Sequence, residues 1–177
     1  MSGAERDVLV AGIGNVFLGD DGFGVEVVRR IDAAALPGGV RVADYGIRGV
    51  HLAYELLDRP PDTLIMVDAL PLEGPPGTLE VLEVGAAELD AAGGAVPVDA
   101  HGLHPLAVLL LLRRLGGEAG RVLVAGCRPA SVEEGMGLTE PVAAAVPEAV
   151  RLVTELARAE AAAAPAGEPD TRERTDA

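Results

Sequence analysis

The sequence predicts an α/β fold: a three-layer α/β/α sandwich around a five-stranded mixed sheet, mostly parallel, with one strand antiparallel. Three observations predict it. Short apolar runs, VLVAGI at 8–13, TLIMV at 63–67 and VLVAG at 122–126, have the composition of strands covered on both faces. Segments of helical length separate most of these runs. One link, ALPLEGPPG at 69–77, holds three prolines and is too short for a crossover helix, so the strand after it must reverse.

The elements follow in order. Asp7–Ile13 reads as a buried strand and Gly12–Asp21 as a loop. Gly22 to about Ala35 reads as a helix, with Val25, Val28, Ile31 and Ala35 on one face and Glu26, Arg29 and Arg30 largely elsewhere. Pro37-Gly38-Gly39 ends it, and Val40–Asp44 is a second strand. A helix near Val50–Leu57 is broken by Pro60-Pro61, and Thr63–Asp68 is the third strand. Thr78–Val84 should run antiparallel to the third. Leu103–Leu115 reads as an apolar helix, Arg121–Cys127 as the fifth strand, and Pro141–Ala163 as a long helix with Thr139 as its N-cap. Residues 1–164 make a single domain, and 165–177 a disordered acidic tail. Right-handed crossovers put the second and third strands on either side of the first. Ligands of open α/β sheets bind beyond the strand C-termini at such a switch point.

Composition removes several chemistries. The 177 residues are 49% hydrophobic but only 2% aromatic, so Val, Leu, Ala and Ile must fill the core. A formal charge of −14 argues against nucleic acid and anionic membrane as partners. All 14 basic residues are Arg, which excludes a Schiff-base lysine, a Walker lysine and a Ser–Lys dyad. Serine occurs only at Ser2 and Ser131, and Cys127 is the sole cysteine, so no intrachain disulfide or cysteine zinc knuckle forms. No run of 18 apolar residues is present and the start, MSGAERD, is polar, which predicts a soluble cytoplasmic protein without a signal peptide.

Gly12-Ile13-Gly14-Asn15 resembles the start of a dinucleotide fingerprint, but Phe17 stands where the third glycine belongs. Asp20 and Asp21 then open the helix. Pyrophosphate there would meet two negative charges, each costing roughly 1 kcal/mol at ~4 Å even when screened. The loop therefore suits a cation. One aspartate can cap the helix; Asp20 is the expected cap and Asp21 the expected ligand. Asp68 ends an otherwise apolar strand, where it either caps a turn or faces the site. His101 lies in VDAHGLHPL before a helix and is a candidate third ligand; two Asp and one His suit a divalent first-row metal. His104 could support such a ligand, and His51 reads as solvated. Cys127 reads first as a small buried residue, and Glu133-Glu134 as a solvated turn.

These pieces together carry a resemblance. GIGNVFLGDDGFGVEVV, DYGIRGVHL, LIMVDAL, DAHGLHPLAVL and AGCRPASVEEGMGLTEPV resemble, in this order, the hydrogenase maturation endopeptidases. The likeness spans nearly the whole chain except the tail. It implies a single α/β peptidase domain that cleaves the C-terminal extension from the precursor of a nickel–iron hydrogenase large subunit after nickel insertion. The family's metal-binding trio falls on Asp21, Asp68 and His101, and its recognition loop on Asp44, Gly46 and Gly49. Nickel would arrive with the substrate, no organic cofactor is implied, and a monomer is expected. Asp20 is a candidate general base. Two other classes stay open. A receiver-like signalling module shares the acidic pair and the strand-end Asp but needs a Lys that this chain lacks. A non-catalytic chaperone of the precursor would bind without cutting.

Overall fold

A computed structural model describes residues 5–92 and 104–163. The expected acidic tail and both His101 and Leu103 lie outside these residues. Five strands form one sheet: β1 (Val8–Ile13), β2 (Val40–Gly46), β3 (Thr63–Ala69), β4 (Leu79–Val84) and β5 (Arg121–Cys127), in the order β2-β1-β3-β5-β4. All pairs are parallel except β4 with β5. The helices are α1 (Phe23–Arg30), α2 (Gly49–Asp58), α3 (Ala86–Ala92), α4 (Pro105–Arg114) and α5 (Glu140–Ala162).

Strand alternation divides the core in two. Val8, Val10, Ile65, Val67, Leu123 and Ala125 point to the face covered by α1 and α5. Leu9, Ala11, Leu64, Met66, Val122 and Val124 point to the face covered by α2 and α4. Every residue of β1 is buried, as the unbroken apolar run requires. Each fully buried Leu, such as Leu52 or Leu56 on α2, contributes roughly 1.5–3 kcal/mol. The mixed three-layer sandwich therefore forms as expected, with β2 and β3 flanking β1.

Several local readings change. The first helix does not reach Ala35. It stops at Arg30, Ile31 is extended, and Ala33–Ala35 is a separate 3-10 turn. Asp32 explains the break, because its carboxylate accepts the Ala34 N–H and so competes with the helix. Ala35 is exposed as a result. The strand after the proline-rich link does run opposite to β3, but β5 lies between them and is its hydrogen-bonding neighbour. The reason is burial: parallel β5 needs both faces covered, whereas β4 has no fully buried residue and carries Glu80 and Glu83, which suits an edge. The short helix α3 was not expected from the sequence.

Candidate active site at the strand C-termini

The site is built where β1 and β3 end side by side. Gly14 leaves β1 with φ +136°, and a Cβ there would lie 1.9 Å from the Asp21 carbonyl oxygen. Only glycine lets the loop fold back so closely. The same hypothetical Cβ would be 3.5 Å from Asp68 Oδ1, so the two acidic segments meet over this residue. Gly24 does comparable work in α1: a Cβ would sit 2.0 Å from the Val67 carbonyl oxygen. The glycines serve close backbone approach beneath a carboxylate pair, not phosphate binding.

Asp21 is partly exposed, and its Oδ2 accepts the Asn15 N–H at 2.8 Å. Burial raises its pKa, with the Asn15 hydrogen bond opposing the rise. Asp68 is buried, at 3% exposure, and its Oδ1 accepts the N–H of Ala69 at 2.8 Å. Its pKa lies well above the ordinary value, first through burial and then through repulsion from Asp21, with the Ala69 N–H opposing. Two carboxylates thus crowd one crevice with few donors to relieve them. A cation entering it would lower both pKa values by offsetting the repulsion between the two carboxylates.

Asp20 behaves differently from the expectation. It does not cap α1. Its carboxylate is fully buried and accepts from the N–H groups of Ala130, Ser131 and Thr139 and from the Thr139 hydroxyl. Burial alone would raise its pKa, but these four bonds outweigh it and hold the pKa below the ordinary value. Asp20 is therefore a latch for the loop after β5, and its occupied oxygens do not suit a general base. Thr139 does stand at the N-cap position of α5, yet its hydroxyl serves Asp20 rather than the helix. Backbone pairs between Gly19 and Gly135, Asp20 and Ser131, and Gly135 and Phe17 complete this stitching. The latch leaves almost no sequence signal: three of its four donors are backbone N–H groups, and the fourth is the single hydroxyl of Thr139.

The other candidates are placed as follows. Asp44 pairs with Arg29 at 3.1 Å at the end of β2. Gly46 takes φ +52° and its carbonyl accepts the Gly14 N–H, which ties this loop to the acidic one. Gly49 begins α2 and is buried. His101 lies outside the described residues, so no distance joins it to Asp21 and Asp68. Among the described residues, no group of three His, Cys, Asp or Glu is arranged to hold a metal ion. His104, three positions on, is exposed at the N-cap position of α4 and makes no side-chain cap bond there. His51 is exposed and pairs with Glu55.

Conventional nucleophiles are poorly set. Cys127 is fully buried and its thiol pKa is raised to about 11, first by burial and then by the Asp20 charge, with the Gly77 N–H opposing. The neutral thiol therefore prevails at physiological pH. The Ser131 hydroxyl accepts the Glu133 N–H, and no imidazole partners it among the described residues. No helix among those residues is long and apolar enough to cross a membrane.

Comparison with known proteins agrees with this architecture. The family model described as hydrogenase maturation protease matches residues 25–156. The hydrogenase expression/formation protein HupD of Rhodobacter capsulatus is 35% identical over 150 residues, covering 81% of this chain and 70% of HupD. The hydrogenase maturating endopeptidase HybD from E. coli superposes with a TM-score of 0.68 at 31% identity, covering 86% of this chain and 92% of HybD. The NiFe hydrogenase maturation protease HycI from Thermococcus kodakarensis KOD1 gives 0.66 at 26% identity, over 88% of this chain and 94% of that one. A receiver-like module is thereby set aside. The glycine-hinged acidic crevice sits on the scaffold of these enzymes, and the chain belongs to the hydrogenase maturation protease family and is a peptidase.

Proposed function

We propose that this protein removes the C-terminal extension from the large-subunit precursor of a nickel–iron hydrogenase after nickel has been inserted. The observation that carries the reading is the crowded pair of Asp21 and Asp68, both with raised pKa, at the rim of β1 and β3. Such a pair gains most when a cation arrives, so it discriminates a metal-loaded substrate from an empty one. His101 supplies the third, nitrogen, donor. The metal is part of the substrate, and the peptidase need not hold one of its own. Asp44, Gly46 and Gly49 hold the neighbouring loop against which the precursor lies.

Asp21 and Asp68 fix the metal-bearing segment so that the scissile carbonyl faces a water at the open rim. The metal's charge favours attack on that carbonyl, as in other metal-assisted hydrolyses. Water adds its oxygen to the carbonyl carbon, the C–N bond breaks, and the new amine takes a proton. We assign the water's proton to the acidic rim of the crevice rather than to Asp20, whose oxygens already accept four hydrogen bonds.

The test is to incubate purified precursor, loaded with nickel or lacking it, with the protein and to weigh the product. Loss of a C-terminal peptide from the loaded form alone is expected. Tight binding without any mass change would favour the chaperone reading. Asp21→Ala, Asp68→Ala and His101→Ala should each abolish the cut while leaving the circular dichroism spectrum unchanged.

A further inference from the structure

Helix α2 is apolar on two sides. Gly49, Leu52, Ala53 and Leu56 are buried against the sheet and α4. On the opposite side Val50, Tyr54 and Leu57 remain 46%, 54% and 38% exposed. Their spacing, i, i+4 and i+7, lines them up in one stripe along the helix. An ordinary surface helix carries charge there, as α1 does with Glu26, Arg29 and Arg30. The stripe continues past the helix start: Ile47, in the preceding turn, is 65% exposed. Ile47 also lines a cavity of about 370 Å³ together with Phe17, itself 63% exposed, and with Val16 and Val25. The cavity reaches Gly14 and Asn15, the residues that hold Asp21 and border Asp68.

One continuous surface therefore runs from beside the carboxylate pair, through the cavity, whose wall also carries the Arg29–Asp44 ion pair and Arg48, and out along the apolar stripe of α2. We infer that the stripe of Ile47, Val50, Tyr54 and Leu57 is an exosite: it binds an apolar surface of the folded protein substrate away from the segment that is cut. This inference rests on the proposed function. Continuity with the cleft selects the occupant. A second copy seated on the stripe would cover Ile47 and close the cavity beside the acidic pair, whereas a protein substrate must occupy both at once. Exposed apolar surface of this kind, contiguous with a polar site, marks protein recognition. A folded precursor presents more surface than its scissile segment, and contacts outside that segment raise affinity without touching the chemistry.

The experiment compares wild type with Val50→Glu, Tyr54→Glu and Tyr54→Phe. Affinity for nickel-loaded, full-length precursor is read by calorimetry at low temperature, and turnover is read at saturating precursor by mass spectrometry. Each Glu variant should weaken binding at least tenfold, leave saturated turnover within twofold, and keep the wild-type melting temperature and monomer mass. Tyr54→Phe should bind like wild type. Unchanged affinity of the Glu variants while wild type cuts normally would overturn the exosite and spare the proposed function. A wild-type dimer that Tyr54→Glu dissociates, with precursor affinity unchanged, would assign the stripe to self-association. A lowered melting temperature with unchanged affinity would assign it to a segment of this same chain. Failure of wild type to cut loaded precursor would instead overturn the proposed function.

Discussion

Asp20 and Asp21 are adjacent in sequence and opposite in role, and the difference comes from their donors. Asp20 meets four and is held ionised; Asp21 meets the Asn15 N–H and is pushed toward protonation. Both acids stand out in the sequence, but local pattern points to Asp20 as the cap, because the loop that satisfies it lies 110 or more residues away. A contact of that range leaves no local pattern. Asp20→Ala should cost about 2–4 kcal/mol in urea unfolding at pH 7, since buried donors lose their acceptor. Its folded pKa lies below the ordinary 3.8, so this stabilisation is full above about pH 4 and is lost as pH falls through the depressed value. The gap between wild type and variant should therefore narrow in acid. Asp68 gives the opposite sign. Its folded pKa is raised, so ionising it costs stability as pH climbs above 3.8. Asp68→Asn should match wild type near pH 3 and be more stable at pH 7, by roughly 0.5–2 kcal/mol, while losing cleavage. Lower stability at pH 7 would mean the carboxylate is structural.

Among the strands and helices, the apolar runs made β1, β3 and β5 legible because a strand buried on both faces leaves an unmistakable composition. The place of β4 was not legible. Strand direction follows from the length of one link, but adjacency depends on which strand can tolerate an edge, and that is decided by α4 and β5 much later in the chain. The early end of α1 escaped for a smaller reason: Asp32 satisfies the local backbone as well as a further helical turn would. The contact of α1 with the strand ends depends on Gly24. Gly24→Ala would drive a methyl group to 2.0 Å from the Val67 carbonyl oxygen and 2.5 Å from that of Ile13, clashes with backbone that no side-chain rotation relieves. The expected loss is about 3 kcal/mol or more by urea unfolding, with the acidic loop displaced and cleavage reduced in parallel. A variant as stable as wild type would contradict the close helix–strand contact.

Across the chain as a whole, fold and family were legible in the residues, while the joining of distant parts was not. Asp21 and Asp68 could be brought together from topology alone, since β1 and β3 must be neighbours once crossovers are right-handed. The exposed stripe on α2 could not, because burial of its other face is a tertiary property. The arrangement also sets how the protein should treat metal. Two carboxylates whose pKa values are raised by burial offer a metal a site that protons contest, so nickel should bind them weakly without the substrate. Calorimetry of the isolated protein should show nickel affinity weaker than micromolar, and a stoichiometric sub-micromolar site would contradict the view that the metal belongs to the substrate.

The proposed chemistry depends above all on Asp21, Asp68 and His101 meeting at one ion. A crystal soaked in millimolar nickel, with the metal located by its anomalous scattering, decides whether they do. A single nickel peak bonded to both carboxylates and to the His101 imidazole is expected. A peak held without His101, or nickel bound away from Asp21 and Asp68, would show that the three side chains do not form one site.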